Sequence, residues 1–192
     1  MNLTTHKLMT LEEYLNYADE TESFYELVDG ELVEMPPESD RNNLITIYLL
    51  SELLKLIPFN LIRTKTEIVV TGRRARVRVP DLIVLSEELF EALEPTTRST
   101  IMPDMPPPVL VVEVVSPGKV NEDWDYRYKR SEYAARGIAE YWIVDPLKSQ
   151  VMVLTLIDGL YEEEIFKGGD RIHSNQFAQL ELSANQVLQT RT

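Results

Sequence analysis

The sequence contains no cysteine and only two histidines among its 192 residues. The absence of cysteine excludes disulfide scaffolds, zinc ribbons, thiol nucleophiles and cysteine-held iron–sulfur clusters. His6 and His173 lie near opposite ends of the chain, which disfavours a histidine-rich metal site. If the protein carries out chemistry, carboxylates, lysines and a metal ion must therefore supply the reactive groups.

Long hydrophobic runs are also missing, since no run of apolar residues exceeds four. We therefore expect no transmembrane helix and no secretory signal, and predict a cytoplasmic protein. Hydrophobic residues still make up 44% of the chain, which is enough for a packed core. The length fits one domain over residues 1–192, which we divide into an N-terminal helix and hairpin (1–38), a core (39–157) and a C-terminal strand and tail (158–192).

Basic residues are outnumbered, because 19 Lys and Arg face 32 Asp and Glu and give a formal net charge of −13. Such a charge repels a polyanion and argues against non-specific nucleic-acid binding. Locally the balance reverses: residues 63–78 hold six basic residues and one acid, and residues 127–136 hold four basic residues and one acid. These segments are either solvated faces or one positive surface suited to a specific phosphate backbone, and the overall charge does not decide between them.

Capping and turn signals divide the first third of the chain. Thr10, followed by Leu11-Glu12-Glu13, predicts the N-cap of a short helix that ends at about residue 18. Residues 25–35 alternate around Asp29-Gly30, which predicts a β-hairpin. Apolar residues at helical spacing from 39 to 57 predict the longest helix, which must end before Pro58.

The rest of the chain alternates between strands and helices. The patterns predict strands over 61–70, 75–85, 109–115, 140–144, 151–157 and 161–166, and a helix over 122–136 closed by Gly137. Residues 86–108 contain five of the eleven prolines, which indicates a loop or short helix. The helix between the strands 109–115 and 140–144 implies that these two strands are parallel. We therefore predict an α/β fold with a mixed sheet and a core of helix, three strands, helix and strand.

Two acidic residues have apolar neighbours in the sequence, where burial of an ionised side chain is energetically unfavourable. Asp81 follows Pro80 at the start of an apolar stretch, and Glu113 lies in the middle of the apolar strand 109–115. An ionised carboxylate in such a place must be paired or coordinated, either by backbone or arginine or by a metal. Two of them on neighbouring strands could share a divalent cation such as Mg²⁺, which prefers oxygen ligands. A nearby lysine would then orient water or offset charge on a phosphate.

These residues resemble the PD-(D/E)XK nuclease superfamily and, within it, the bacterial putative restriction endonuclease domain family. The resemblance is carried by residues 25–32, 35–37, 80–84, 113–117 and 137–146, and it extends from residue 10 to about 155. It implies a restriction-endonuclease-like sandwich that hydrolyses DNA with Mg²⁺, for which Mn²⁺ can substitute. Asp81 and Glu113 would hold the metal.

The lysine of the motif departs from the superfamily pattern. The pattern places lysine two residues after the acid, where this sequence has Val115. Lys129 lies where the narrower family carries a lysine, so the resemblance transfers the catalytic role to Lys129, which could otherwise be an exposed lysine or one paired with Asp125. Lys119, in a Pro-Gly loop, is the rival. The spacing leaves open which face of the helix meets the sheet.

The resemblance leaves the roles of several upstream residues open. Glu26 and Glu31 flank the Asp29-Gly30 turn and are either ligand-supporting groups or turn charges. Glu52 is a candidate because the superfamily often uses an acid on the first long helix. Asn42 and Asn43 occupy a region where the narrower family often has a histidine.

Three functions follow from these observations. The first is a Mg²⁺-dependent endonuclease that acts on DNA, with Asp81 and Glu113 as metal ligands and Lys129 as the residue that positions water. The second is a catalytically degenerate nuclease fold that binds nucleic acid or a protein. The third is a structural dimer subunit. By analogy with nucleases of this fold, we expect a homodimer, for which the β-rich C-terminal segments could pair.

Overall fold

The structure is a computed structural model that describes residues 8–17, 24–118 and 122–188. The helices are α1 (Leu11–Leu15), α2 (Asp40–Leu53), α3 (Glu87–Leu93), α4 (Arg130–Arg136) and α5 (Ala184–Leu188), with a π-helical segment, Trp124–Lys129, directly before α4 and a 3₁₀ turn at Phe59–Leu61. The strands are β1 (Tyr25–Val28), β2 (Glu31–Glu34), β3 (Ile62–Arg63), β4 (Glu67–Val70), β5 (Arg76–Arg78), β6 (Leu82–Val84), β7 (Thr100–Ile101), β8 (Leu110–Val114), β9 (Glu140–Asp145), β10 (Gln150–Ile157) and β11 (Leu160–Lys167).

The strands form two sheets, and residues 62–84 contribute strands to both of them. A six-stranded sheet has the order β11-β10-β9-β8-β6-β3, and a five-stranded sheet has the order β2-β1-β5-β4-β7. The pair β8 and β9 is parallel, as the connecting helix predicts, and the pairs β3–β6 and β4–β5 are antiparallel. Strands before and after the helix are thus brought side by side in one mixed sheet.

Two of the predicted strands are wrong as continuous strands. The stretch 61–70 is divided into β3 and β4 by Lys65, whose φ is +56°, and the stretch 75–85 is divided into β5 and β6. Pro80 lies at the second break, because proline cannot donate a ladder hydrogen bond within a sheet. Each stretch therefore contributes one half to each sheet, and the break places Asp81 at the start of β6.

The local signals near the N-terminus are confirmed. Thr10 accepts a hydrogen bond from the Glu13 N–H and forms a capping box, while Ser39 caps α2. The helix α1 ends at Leu15, and residue 18 of its predicted extent lies outside the described residues. The helix α2 ends at Leu53 instead of 57 because the chain continues in tighter turns toward Pro58.

The strand β8 lies at the centre of the core, and each of its five residues is buried. Val112 and Val114 point to one apolar cluster, which also contains residues of α2 and α5. Val111 and Val115 point to a second apolar cluster on the opposite face, which includes Tyr133 of α4. Glu113 shares the parity of Val111 and Val115, so its carboxylate faces α4.

The helix predicted over 122–136 contains the π-helical segment and ends at Arg136, and Gly137, whose φ is +82°, provides the left-handed C-terminal cap. Lys129 and Tyr133 are buried, whereas Tyr128 is 45% exposed. The face that carries Lys129 and Tyr133 is therefore the one that meets the sheet. Within the described ranges, no helix combines the length and apolar character that crossing a membrane requires.

Candidate functional site

Asp81 and Glu113 lie opposite each other on neighbouring strands. The antiparallel register of β6 and β8 pairs Leu82 with Val112, and continuing it by one residue sets Asp81 across from Glu113. Opposed residues in such a ladder have Cβ atoms about 5 Å apart on the same face. The Val114 N–H donates to Oδ2 of Asp81 at 2.7 Å, which fixes this carboxylate against β8. The two acids thus converge on one place.

Both acids line a cleft of about 150 Å³, which we call the carboxylate cleft. Its other lining residues come from the first hairpin, the segment that follows it, the end of β8 and the π-helical segment: Glu26, Val28, Val33, Glu34, Met35, Pro36, Glu38, Val114, Ser116, Trp124, Asp125 and Lys129. The three residues that the resemblance assigns to catalysis, Asp81, Glu113 and Lys129, therefore share one cavity.

Lys129 reaches the acids from the helix. Its Nζ lies 2.8 Å from Oε2 of Glu113 and 3.0 Å from Oδ1 of Asp125, and only 10% of its side chain is exposed. The i,i+4 pair with Asp125 is therefore present together with the contact to Glu113. Val115, at the position where the superfamily has lysine, is buried in the apolar cluster beside Tyr133.

The other oxygen of Glu113 is also engaged, because the Tyr133 hydroxyl donates to Oε1 at 2.7 Å. Glu113 is thus held by a phenol on one oxygen and an ammonium on the other. Tyr133 was assigned no role from the sequence. Its i,i+4 spacing from Lys129 was the available signal, since both then project toward the same strand.

Arg78 is the residue of this region whose role the sequence concealed. Its guanidinium is fully buried, donates to Glu132 and to Glu26 at 2.7 Å each, and lies 4.6 Å from the centre of the Trp124 ring. Arg78 therefore connects Glu26 of the first hairpin, which lines the cleft, to Glu132 of α4. Sequence reasoning placed it in a basic segment available to a phosphate backbone.

Several residues of the two basic segments serve the fold. Arg76 pairs with Asp29 and Glu132, and Arg136 donates to the backbone carbonyl groups of residues 102 and 105. Arg127 is exposed, as are residues 73–74. A continuous positive surface built from the two basic segments is therefore not what the described residues form.

Several carboxylates line the cleft beside the Lys129 ammonium, and burial acts on the pKa values of these groups. Burial raises the pKa of Asp81 to about 6, and burial also raises the pKa values of Glu113 and Asp125 against the opposing effect of Lys129. Burial alone would lower the pKa of Lys129, but the carboxylates of Asp125, Glu113 and Glu26 raise it, so the ammonium stays charged. Burial favours protonation of Glu26 as well, yet Lys129 and Arg78 hold its pKa below the usual value.

The donor set of the cleft suits a divalent cation. Asp81 and Glu113 supply hard oxygen ligands, and Mg²⁺ in proteins commonly takes one or two carboxylates together with water and substrate oxygens. Burial, which raises the pKa of both groups, disfavours their ionised forms unless a positive charge lies nearby. Among the described residues, however, no group of three or more Asp, Glu or His side chains is arranged to hold a metal. The described residues therefore offer at most two such side chains to one ion.

Of the other residues named from the sequence, some line the cleft and others lie elsewhere. Glu26 lines the cleft and accepts from the Val79 N–H at 3.2 Å, whereas Glu31 is exposed on the hairpin. Glu52 pairs with Lys55 at 2.7 Å and does not line the cleft. Asn42 is buried and donates to the Ser116 hydroxyl at 3.2 Å, next to the end of β8. Asn43 lines a neighbouring cavity, and Lys119 lies outside the described residues.

Comparison with known proteins identifies the family. Residues 11–185 match the family model of Uma2, which is described as "Putative restriction endonuclease". The chain belongs to the Uma2 family. The resemblance read from the sequence is thereby confirmed. No curated protein matches this Uma2 chain significantly.

The fold is also confirmed by a solved structure. The Uma2 chain is similar to a crystal structure at 1.96 Å resolution from Anabaena variabilis ATCC 29413, titled as "a putative nuclease belonging to DUF820". The two chains have a TM-score of 0.72 and 19% sequence identity, over 95% of this chain and 98% of that one. The mixed α/β architecture is therefore a nuclease-like fold.

Proposed function

We propose that this Uma2 protein is a Mg²⁺-dependent endonuclease that hydrolyses phosphodiester bonds in DNA, with Mn²⁺ as a possible substitute. The observation that carries the proposal is the meeting of Asp81, Glu113 and Lys129 in one cleft, although they are distant in sequence. Restriction-endonuclease-like families generally use a divalent metal ion, and the two carboxylates fit one. Membership of the Uma2 family adds the expectation that the substrate is DNA.

Each residue has a distinct role in this proposal. Asp81 and Glu113 would bind the cation, while the Tyr133 hydroxyl and the Val114 N–H keep these carboxylates oriented. A divalent ion bound there supplies positive charge to the phosphate and acidifies water. Lys129, which stays protonated, positions the attacking water and offsets negative charge that develops on the phosphate.

The experiment compares cleavage by the wild type and by variants of the cleft. Supercoiled plasmid and labelled oligonucleotides are incubated with Mg²⁺, Mn²⁺ or EDTA. We expect cleavage only with the metals, and loss of cleavage in Asp81→Asn, Glu113→Gln and Lys129→Met. Asp158→Asn is the matched control, since Asp158 is exposed in the turn between β10 and β11. An Asp81→Asn protein that cuts as fast as wild type would refute the assignment.

A second function is a nuclease fold that binds without cutting. Two observations favour it: Val115 replaces the usual lysine, and Lys129 already pairs with both Glu113 and Asp125. In that case the Lys129 ammonium would occupy the position of a cation beside Glu113, and no metal ion would bind there. Calorimetric titration with Mn²⁺ separates the two functions, because only the nuclease should show binding that Asp81→Asn abolishes.

A homodimer and a cytoplasmic location belong to the same proposal. The edge strand β11 exposes Glu162, Glu163 and Glu164. Such a row of acids disfavours pairing of this edge with its own copy. If the protein is a dimer, we therefore expect a different surface to form it, and sedimentation equilibrium at low and high salt would measure the assembly.

A further inference from the structure

A second cavity, of about 430 Å³, opens beside the carboxylate cleft, and we call it the side cavity. The two cavities share a wall, because the segment from Glu34 to Pro36, together with Glu38 and Asp81, lines both. Asp81 therefore lies at their junction. A chemical group in the side cavity would be an immediate neighbour of a phosphate held at the carboxylates.

The side cavity has a different character from the carboxylate cleft. Half of its fourteen lining residues are apolar: Phe24, Met35, Pro36, Pro37, Ile47, Val79 and Pro80. The Phe24 ring is 46% exposed, and Nζ of Lys65 lies 4.0 Å from its centre. An apolar wall with an accessible aromatic ring suits a flat, weakly polar group better than it suits a phosphate.

Polar groups are placed among these apolar walls. Asn43, Thr46 and Thr64 line the side cavity and provide amide and hydroxyl groups. The Thr46 hydroxyl donates to the Asn42 carbonyl at 3.0 Å, which leaves its oxygen able to accept. Donors and acceptors around an aromatic platform are what proteins use to hold an unstacked nucleobase by its face and its edge.

We propose that the side cavity binds the base of an unpaired nucleotide that flanks the phosphate at the carboxylates. The inference rests on the proposed nuclease function and specifies its substrate as single-stranded or locally opened DNA. A base within a duplex is stacked on both faces and paired along its edge, so it cannot enter a cavity of this size without leaving the helix. Phe24 would stack on the base, and Lys65 would contribute positive charge to an otherwise acidic rim.

Binding is measured separately from cleavage. A fluorescein-labelled single-stranded oligonucleotide and the duplex of the same sequence are titrated with the full chain in Ca²⁺, and anisotropy reports binding. We expect tighter binding of the single strand and roughly ten-fold weaker binding in Phe24→Ala, since base stacking on an aromatic side chain contributes about that much. Phe24→Trp should retain the affinity. Phe59→Ala is the control, because Phe59 is 80% exposed and lines neither cavity.

The lysine is tested by salt dependence. Lys65→Gln should weaken binding of the single strand and lower the slope of log affinity against log salt by about one, while Lys167→Gln, at the exposed end of β11, should change neither. Equal affinity for both DNA forms, no binding of either form, or a Phe24→Ala protein that binds like wild type would overturn the inference. The nuclease proposal fails on a different result, namely the absence of metal-dependent cleavage of any DNA form.

Discussion

Replacing Asp81 by asparagine tests the electrostatics of the carboxylate cleft without metal. Burial raises the pKa of Asp81 to about 6 in the folded protein, compared with about 3.9 in an unfolded chain. The folded state therefore binds the proton more tightly than the unfolded state. The ionised carboxylate has no effect on stability below about pH 4, and above about pH 6 it destabilises the fold by its full amount.

The magnitude follows from the same pKa difference. A difference of about two pKa units, at roughly 1.4 kcal/mol each, corresponds to about 3 kcal/mol as an upper limit. Because Asp81 opens onto the cleft, solvent reduces this value, and we expect about 1–3 kcal/mol. Asparagine keeps an oxygen that can accept from the Val114 N–H, so the substitution removes the charge and retains the hydrogen bond.

Urea unfolding in EDTA, followed by tryptophan fluorescence from pH 4 to 8, measures this effect. We expect Asp81→Asn to be more stable than wild type at pH 8, with a difference that disappears toward pH 4. The control Asp158→Asn, in the exposed turn between β10 and β11, should not reproduce the gain in stability at pH 8. Adding Mn²⁺ should stabilise wild type and not Asp81→Asn. An Asp81→Asn protein that is less stable than wild type at pH 8 would refute the reasoning.

Three further substitutions test other parts of the fold. Burial alone would raise the pKa of Glu67, but hydrogen bonds, chiefly from Arg98, lower it. The ionised Glu67 should therefore stabilise the fold above about pH 4.3, and this stabilisation should be lost at lower pH. The urea midpoints of wild type and Glu67→Gln should accordingly converge in acid. Arg78→Met removes the arginine that two buried carboxylates, Glu26 and Glu132, share, and should cost about 3–5 kcal/mol in thermal or urea unfolding; a cost below 1 kcal/mol would contradict the internal network. Tyr133→Phe removes the donor to Glu113 and should cost about 1–3 kcal/mol, while any metal-dependent cleavage should weaken and not vanish, since Tyr133 acts through Glu113.

The elements that could be predicted from the sequence are those determined by short-range chemistry. The Thr10 cap, the hairpin at Asp29-Gly30 and the end of the helix at Gly137 each depend on a few adjacent residues, and all three are present. The buried strand β8 was predictable because its composition is almost entirely apolar. Asp81 and Glu113 stood out for the same reason, since each is a charge beside apolar neighbours.

The breaks in the two long strands could not be predicted from alternation. Polar residues 63–67 interrupt the first stretch, and Pro80-Asp81 interrupts the second, but neither interruption shows that the chain leaves one sheet for the other there. Which sheet receives each half depends on pairing with partners far away in sequence. The role of Arg78 was hidden for the same reason, because its partners Glu26 and Glu132 come from elements on either side of it.

The position of Lys129 shows how a lysine can reach Glu113 without following this acid along the strand. A residue two positions after Glu113 projects from the same face of β8, and Val115 uses that position to pack against α4. The helix that covers this face then brings Lys129 within 2.8 Å of the Glu113 carboxylate. The π-helical segment, which ends at Lys129, sets the direction in which that side chain leaves the helix. The helix that covers the sheet thus supplies the ammonium group near the carboxylates, and the strand does not. An apolar residue at position 115 is therefore compatible with an ammonium group beside Glu113.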